Sequence, residues 1–411
     1  MYSMPNPAVT PNLGDDGPDW FRRRLRRDVA EMLRLAPPIV LARSGIVAMI
    51  LVDTLVVGRY SAIELGYLAI AMSLTMPLIV TGLGLILGTM VLTANHLGAG
   101  RLHECGAVWQ RAVVHAFGLG LIGAAICTSG ETLLAWTGQT PELAREGGRV
   151  YFVLGLGIPA HLVFLATSFF LEGLRRPVPG MVWMLVANVV NLGLTLALVF
   201  GVGDVAPAGA VGAAWGTTAA RWVLGVGMVG YVLTMRDHAD YAVRHRPRLQ
   251  WALWRHQRRL GYAMGLSLAV ESIAFSTMQQ FAGWLGPVPL AAFSIAFQLM
   301  VASFMVAIGI GAATAVRVGI AHGREDHRDV ALAGWTGLAM TLVATGLVGV
   351  AIAVLRHFLP TLFTTETAVA AAAAPLIVWV AAALMADGGQ AVMANALRGV
   401  QDVWAACAIQ A

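Results

Sequence analysis

Ten long apolar runs, separated by short polar intervals, make up most of the chain. A helix that crosses a bilayer needs about 20 mostly apolar residues, so each run is long enough for one membrane span. Together they predict ten spanning helices and the start of an eleventh near residue 402. The runs lie near residues 35–58, 65–97, 110–130, 150–172, 178–202, 208–234, 260–286, 289–317, 330–355 and 368–397.

Two apolar stretches are too long for one straight span. The uncharged stretch from Leu65 to Gly98 exceeds the thickness of a bilayer, which predicts a tilted helix or a bend at Pro77. The stretch from Leu260 to Val316 must be divided into two spans. The sequence Gly286-Pro287-Val288-Pro289 predicts the point of division, because proline cannot continue a helix and restricts the residue before it.

The composition places the chain in a membrane. Of its 411 residues, 58% are hydrophobic and 12% are charged, whereas a soluble domain has about 25% charged residues. The apolar content excludes a disordered chain, and the glycines lack the triplet period of collagen. We therefore predict an all-α polytopic membrane protein.

No motif indicates an enzyme or a bound cofactor. The three cysteines form no CxxC pair, so neither a disulfide framework nor a zinc site is expected. The chain has no GxxxxGK(S/T), HExxH or GxSxG motif, so nothing supports an ATP-driven pump or an intramembrane hydrolase. Gly82, Gly84 and Gly88 lie in an uncharged span, where close helix packing explains them better than a nucleotide loop.

All 27 basic residues are arginines, and most lie between the apolar runs. We interpret them as topology anchors rather than a nucleic-acid surface, because positive residues concentrate in cytoplasmic loops. Their distribution predicts a cytoplasmic N-terminus in the cell membrane. Residues 1–33, with FRRRLRR at 21–27, are expected to form a cytoplasmic tail or a short helix on anionic lipid headgroups.

Two short motifs recur at nearly the same spacing and indicate an internal duplication. Gly100-Arg101 recurs as Gly323-Arg324 at an offset of 223, and Leu171-Glu172-Gly173 recurs as Leu397-Arg398-Gly399 at an offset of 226. With six spans in the first copy, both copies have the same orientation. We predict a first lobe at 34–235, a cytoplasmic loop at 236–259 and a second lobe at 260–411, truncated after the start of span eleven.

Five charges lie inside predicted spans, where each costs about 2.5–3.5 kcal/mol unless it has a partner or an aqueous cavity. They are Arg43, Asp53, Arg221, Glu271 and Asp387. The carboxylates are typical of a transporter driven by protons or cations, because a carboxylate in a low dielectric can exchange a proton or Na⁺ for a cationic substrate. The alternative is structural, with Asp53 paired to Arg43 and the others hydrogen-bonded to neighbours.

Uncharged polar residues give a weaker indication of a cleft. Asn188, Asn191 and Thr195 recur at helical spacing in span five, and Gln279 and Gln298 lie in spans seven and eight. Either they line a substrate cleft or they form hydrogen bonds between helices.

Several strings, in a fixed order, make the chain resemble the multidrug and toxic compound extrusion (MATE) family of cation-coupled antiporters. The resemblance extends from about Leu35 to the last residue. The strings are Val52-Asp53-Thr54-Leu55-Val56-Val57-Gly58-Arg59, Gly98-Ala99-Gly100-Arg101, Phe170-Leu171-Glu172-Gly173-Leu174-Arg175-Arg176-Pro177, Gly209-Ala210-Val211-Gly212-Ala213-Ala214-Trp215-Gly216-Thr217, Ala282-Gly283-Trp284-Leu285-Gly286, Gly309-Ile310-Gly311-Ala312-Ala313 and Ala396-Leu397-Arg398-Gly399.

The resemblance implies two six-helix lobes around a central cleft that opens alternately to the two sides of the membrane. It implies export of amphipathic organic compounds, often cationic, in exchange for Na⁺ or H⁺ and without a cofactor. We expect a monomer in the lipid bilayer.

The resemblance also implies site residues. In the NorM-like branch, acidic residues of spans one, seven and ten carry the coupling, and Asp53, Glu271 and Asp387 match them. Glu366 matches a further acidic position, and Glu271 with Asp387 is the candidate Na⁺ site. Thr195 stands where the DinF-like branch has an aspartate, which argues against the proton site of that branch.

Two other functions give different expectations. A lipid-linked precursor flippase should place several cationic residues in its cleft to hold a pyrophosphate, whereas this sequence offers mostly carboxylates there. A membrane transferase would need a His or Cys nucleophile near a polar pocket, and His161 is the deep candidate. The sequence therefore favours a cation-coupled exporter.

Overall fold

The computed structural model describes residues 19–202, 206–244, 251–364 and 366–410. Within these ranges the chain is almost entirely helical. The helices are α1 (Trp20–Tyr60), α2 (Ala62–Ile86), α3 (Gly88–Gly98), α4 (Leu102–Cys127), α5 (Gly130–Trp136), α6 (Pro141–Leu156), α7 (Ile158–Gly173), α8 (Val178–Phe200), α9 (Gly209–Thr234), α10 (Trp251–Trp284), α11 (Pro287–Gly323), α12 (His327–Val354), α13 (Thr367–Gly399) and α14 (Val403–Gln410). A short 3₁₀ helix at Leu359–Leu362 precedes α13.

Eight helical segments in the described ranges are long and apolar enough to cross a membrane. They are Trp20–Tyr60, Ala62–Gly98, Leu102–Cys127, Pro141–Gly173, Val178–Phe200, Val288–Gly323, His327–Val354 and Thr367–Gly399. Helices α9 and α10 lie where the apolar runs predict two more spans. The prediction of an all-α polytopic membrane protein is confirmed.

The break between α10 and α11 lies where the sequence predicts it, whereas the break between α2 and α3 was not predicted at its position. Helix α10 ends at Trp284 and α11 begins at Pro287, as predicted, and Gly286 between them has a φ of 113° that favours glycine. A tilt, or a bend at Pro77, stays a prediction; helix α2 continues through Pro77 and ends near Leu87, so the long stretch is divided there. Here α2 packs on α10 so closely that a Cβ on Gly84 would lie 2.6 Å from the Gly265 Cα.

Helix α1 begins at Trp20, so residues 20–33 do not form the predicted short separate helix; their cytoplasmic position stays a prediction. They form the first turns of the helix that also carries span one. The predicted loop at 236–259 is likewise shorter, because α10 already begins at Trp251. Residues 235–244 form turns whose Tyr241 is buried, and a Cβ on Gly106 of α4 would lie 1.9 Å from the Tyr241 carbonyl oxygen.

The helices form two groups by their contacts. Helices α1–α9, which we name the first bundle, pack mainly on one another, with α8 against α1 and α9 and α7 against α4 and α9. In the remainder, α11, α12 and α13 pack together; we group α10 and α14 with them as the second bundle by chain order, although α10 packs more extensively on α2 than on α11 or α14. Contacts between the bundles join α10 to α2 and α11 to α1 and α3. The lobe boundaries and the truncation of the second lobe stay predictions.

A charge cluster joins the two bundles at one end of the molecule. Its centre is Arg317 of α11, which is 1% exposed and pairs with Asp28 and, at 2.6 Å, with Glu31 of α1. Arg27 of α1 contacts Asp329 of α12 at 2.7 Å. The other members are Arg24, Arg175, Arg324 and Asp326. We name this end of the molecule the Arg-rich end. The expectation that Arg24 and Arg27 bind lipid headgroups is therefore wrong, because both bind carboxylates of the second bundle.

The backbones of the bundles also touch at the Arg-rich end. A Cβ on Gly98 of α3 would lie 2.1 Å from the Ile320 carbonyl oxygen, and one on Gly323 of α11 would lie 2.1 Å from the Asn95 carbonyl oxygen. The Asn95 side-chain amide also donates to the Gly399 carbonyl oxygen at 3.0 Å. The helix ends that precede the two copies of the repeated Gly-Arg motif thus meet where the bundles close.

The ion pair between Arg24 and Asp326 predicts a pH-dependent stability. Partial burial acts to raise the pKa of Asp326, but hydrogen bonds from Arg24 and from the Asp329 backbone N–H, together with nearby arginines, lower it below its ordinary value of 3.8. A carboxyl with a lowered pKa stabilises the fold above its unfolded pKa, and that contribution is lost as the pH falls through its folded pKa.

Asp326→Asn should therefore lower the stability by about 0.5–1 kcal/mol near neutral pH. Asparagine can still accept the N-cap hydrogen bond of α12, so the loss of stability measures the contribution of the negative charge alone. The measurement is the midpoint of thermal unfolding in detergent at several pH values. The difference from the wild type should shrink below pH 3.8, and a difference that is constant with pH would contradict the ion-pair explanation.

Candidate functional site

A cavity of about 570 Å³ lies between the two bundles. Helices α1, α2, α3, α7, α8 and α9 line one wall, and α10, α11 and α13 line the other. Most of the lining is apolar. It includes the methionines Met49, Met72, Met76, Met90, Met184, Met264 and Met305. Methionine side chains are flexible and polarisable, so this wall can adapt to ligands of different shape.

Asp53 is fully buried in the first bundle and accepts hydrogen bonds from three side chains. The Asn191 amide donates to Asp53 Oδ1 at 3.1 Å, and the Thr195 hydroxyl donates to the same oxygen at 3.0 Å. The Thr217 hydroxyl donates to Oδ2. Asp53 and Thr217 line the cavity. Of the predicted cleft residues, the structure thus brings Asn191 and Thr195 to Asp53, and it adds Thr217.

Glu271 and Asp387 lie on the opposite wall of the same cavity. Glu271 belongs to α10 and Asp387 to α13, and the charge of Asp387 acts on Glu271. Gln390 and Asn395 of α13 line the wall beside them. The cavity therefore has carboxylates on both walls, one on the first bundle and two on the second.

Arg43 has a different partner from the one suggested by the sequence. Its Nη2 donates to Glu172 Oε1 at 2.9 Å, and the Ser168 hydroxyl donates to the same oxygen at 2.9 Å. The guanidinium also lies 4.8 Å from the centre of the Phe169 ring. The alternative pairing of Arg43 with Asp53 is therefore wrong. Glu172 could not be singled out from its place in the sequence, because a carboxylate at the end of a span looks solvated.

The charges of the cavity are balanced. Arg43, Arg221 and Arg398 line it, as do Asp53, Glu271 and Asp387, so the expectation of mostly carboxylates is wrong. Arg221 is buried and donates to the Leu154 carbonyl oxygen at 3.3 Å. The only sequence signal for Arg398 is its position in the repeat, which is equivalent to that of Glu172.

The remaining predicted residues lie elsewhere. Asn188 donates to the Gly45 carbonyl oxygen of α1 at 3.1 Å, which is a hydrogen bond between helices. Gln298 is exposed, and Glu366 is exposed at the N-cap of α13. The described lining of the cavity includes none of these three. The side chain of Gln279 lies outside the described part of the structure.

The described residues contain no group of three or more His, Cys, Asp or Glu side chains that could hold a metal ion. Glu271 and Asp387 supply carboxylate oxygens, the ligand type that hard cations take. A Na⁺ site at this pair stays a prediction.

Residues 38–196 and 263–410 match the family model described as MatE. The chain belongs to the MATE family. The probable multidrug resistance protein NorM of Caulobacter vibrioides is 36% identical over 405 residues, which cover 98% of this chain and 85% of that protein. The multidrug resistance protein NorM of Vibrio cholerae is 27% identical over 386 residues, covering 93% and 84%.

The MATE fold is also found in solved structures. One of them, described as the outward-facing conformation of a multidrug resistance MATE family transporter, has a TM-score of 0.85 and 19% identity, covering 94% of this chain and 86% of that chain. As a member of the MATE family, the chain is a membrane-embedded transporter and not an enzyme. The predicted resemblance is confirmed.

Proposed function

We propose that this MATE protein exports a range of amphipathic organic compounds across the cell membrane in exchange for protons or Na⁺. The observation that carries the proposal is one cavity between two bundles, with an adaptable apolar lining and carboxylates on both walls. Its volume lies within the range of about 300–1,000 Å³ typical of sites for drug-sized ligands.

The methionine-rich lining suits substrates of varied shape. Flexible methionine surfaces repack around different ligands and are typical of promiscuous binding sites. Glu271 and Asp387 give the same cavity a place for the amine of a cationic substrate. Several cationic residues would suit a pyrophosphate carrier, but here Arg43 is paired with Glu172, and the charges of Asp53 and Glu271 act on Arg221 and Arg398. This balance favours multidrug export over a flippase.

The exchange of substrate for protons or Na⁺ would follow from competition between the substrate and the ion for the same carboxylates. Glu271 and Asp387 line the same wall of the cavity, and the charge of Asp387 disfavours a second negative charge on Glu271, so the pair would gain most from one positive occupant at a time: a proton, a Na⁺ ion or the substrate amine. Asp53 supplies a second exchange site, because its hydrogen bonds connect α1 to α8 and α9. Protonation of Asp53 would remove the charge that holds these three donors. Glu366 is proposed as an additional carboxylate at the entry to α13.

Alternating access would separate the bundles at the Arg-rich end. Positive residues concentrate on the cytoplasmic side of membrane proteins, so this end and the N-terminus are proposed to be cytoplasmic. The described state, in which the bundles touch there, would then be the outward-facing one. The opposite state requires the charge cluster around Arg317 to open.

The test is transport by purified protein in liposomes loaded with rhodamine 123, a fluorescent organic cation. An inward proton gradient or an inward Na⁺ gradient should accelerate release of the dye, and the ion that does so is the coupling ion. Protein-free liposomes and an ionophore that collapses the gradient are the controls. Release that responds to neither gradient would contradict coupled export.

A further inference from the structure

A row of exposed side chains runs along α10 from its first turns into its apolar part. Arg255, Arg259, Tyr262 and Leu266 follow one another at spacings of three or four residues, so they share one side of the helix. Tyr262 is 51% exposed and Leu266 is 53% exposed. The row changes from cationic to aromatic to aliphatic, and we name these residues the α10 face.

The α10 face points away from the protein. The opposite side of the helix, with Leu260, Ala263 and Met264, is buried in one cluster with residues of α3 and α4. The described lining of the central cavity includes no residue of the α10 face. A ligand on this face would therefore lie among the lipids rather than in the cavity.

Hydrogen bonds place the arginines of the α10 face at the Arg-rich end of the molecule. His256, which lies between them in the chain, has its Nε2 3.0 Å from Gln401 Oε1, and the Gln401 amide donates to Asn95 Oδ1 at 3.2 Å. Asn95 lies where the bundles touch. The neighbouring Arg258 lies 5.0 Å from the centre of the Trp254 ring, and tryptophan concentrates at membrane interfaces. The cationic end of the α10 face is thus at the height of the lipid headgroups.

The first bundle carries an equivalent face on α1. The reciprocal contacts of Gly98 and Gly323 define a repeat offset of 225 (323 − 98). At this offset Arg34 and Leu41 of α1 are equivalent to the second and fourth residues of the α10 face (259 − 34 and 266 − 41). Both are exposed, although α8 and α9 pack on α1. The face therefore stays open even where two further helices of the bundle pack on the same helix.

The arginines of the α10 face have no acidic neighbours to neutralise them. Arg24 and Arg27 of α1 pair with carboxylates at the start of α12. In the described part of the chain, by contrast, no carboxylate lies within salt-bridge distance of Arg255 or Arg259. Residues 251–270 also contain no Asp or Glu. The α10 face thus offers uncompensated positive charge next to an apolar surface.

We propose that the α10 face binds an anionic phospholipid, with its phosphate on Arg255 and Arg259 and an acyl chain along Tyr262 and Leu266. Guanidinium groups match phosphate oxygens in geometry and bind them through charge-assisted hydrogen bonds. Basic residues at this height attract anionic lipids. The apolar part of the face fits an occupant with a hydrocarbon tail, which distinguishes a lipid from a free phosphate ion.

Two lipids that differ in headgroup charge test the site. Purified protein in detergent is titrated with palmitoyl-oleoyl phosphatidylglycerol or with palmitoyl-oleoyl phosphatidylcholine, which has the same acyl chains and no net charge. Native mass spectrometry gives the fraction of protein with lipid bound. We expect the wild type to bind phosphatidylglycerol about 25-fold more tightly, since each of the two arginines should contribute about fivefold.

The variants remove the two charges and leave the buried side of α10 unchanged. Arg255→Gln combined with Arg259→Gln should bind the two lipids with affinities within about twofold of each other, and each single variant should lose about fivefold of the preference. The matched control is Arg145→Gln combined with Arg149→Gln. These arginines of α6 have the same spacing, are 65% and 69% exposed and are paired with Glu146. The control should keep the preference of the wild type.

Each outcome decides whether the α10 face is a lipid site. Equal affinities of the wild type for the two lipids, or a preference that survives in the double variant, would overturn the site. Displacement of phosphatidylglycerol by millimolar inorganic phosphate would show an anion site that does not use the acyl chain, and would overturn the lipid assignment. The single variants decide the question if thermal unfolding shows that the double variant does not fold.

Discussion

The double variant Glu271→Gln, Asp387→Asn is expected to lose ion-driven export while keeping its fold. Both side chains line the wall that the second bundle contributes to the cavity, and the amides are nearly isosteric but cannot exchange a proton and carry no charge to attract a cation. Removing the two charges also removes the cost of burying them, so stability should not fall. In gradient-driven liposomes, the rate of dye release should drop to roughly the protein-free level, a loss of tenfold or more.

Controls for this experiment come from the same chain. Glu131→Gln removes an exposed carboxylate and should transport like the wild type. Asp53→Asn should also impair export, but through the hydrogen-bond network of the first bundle, so its defect should not depend on the state of the other two carboxylates. Thermal unfolding of each variant reports on the fold. Wild-type coupled transport by the double variant would show that these carboxylates are structural.

Gly98→Ala is expected to prevent closure at the Arg-rich end. The added Cβ would lie 2.1 Å from the Ile320 carbonyl oxygen, well inside van der Waals contact, and the obstructing atom belongs to the backbone. The bundles must therefore move apart, which disfavours the described state and should slow export at least about tenfold, since 1.4 kcal/mol is enough for that change. The separation is measured between spin labels on cysteines at Arg101 and Glu325, both exposed on opposite bundles.

The matched control is Gly118→Ala in α4, where an added Cβ meets nothing within 4 Å. Both variants change a helical glycine to alanine, at the last residue of α3 and in the middle of α4, so the control gains at least as much helix propensity as Gly98→Ala. We expect Gly118→Ala to retain the wild-type label distance and transport rate. If Gly98→Ala does so as well, contact between the bundle backbones is not required for transport.

Most of the helices could be predicted from the sequence because burial in lipid is a local property. An apolar run of about 20 residues is expected to be a helix, since a helix pairs its backbone groups within the segment and this length spans the hydrocarbon. The division before Pro287 is equally local, because proline acts on its own helix. The end of α2 near Leu87 lies beside the close packing of Gly84 on Gly265 of α10, a contact that the apolar pattern alone does not show.

For the site, the charged residues could be predicted from the sequence, but the side chains that they pair with could not. A charge inside an apolar run is costly wherever it lies, so Asp53, Glu271 and Asp387 can be singled out by their positions in the chain alone. Their partners cannot, because the pairing of Arg43 with Glu172 depends on which helices become neighbours. For the same reason the sequence could not show that Asn191 reaches Asp53 while Asn188 binds the backbone of α1.

The methionine-rich wall of the cavity has an evolutionary consequence. Its shape is set by unbranched side chains that repack after a substitution, rather than by fixed hydrogen bonds. Exchanges among apolar side chains of similar volume usually cost less than about 1.5 kcal/mol. Selection by a new toxic compound can therefore alter these positions one at a time, and each intermediate still folds. The Arg43–Glu172 pair has no such freedom, because losing either partner leaves a buried charge.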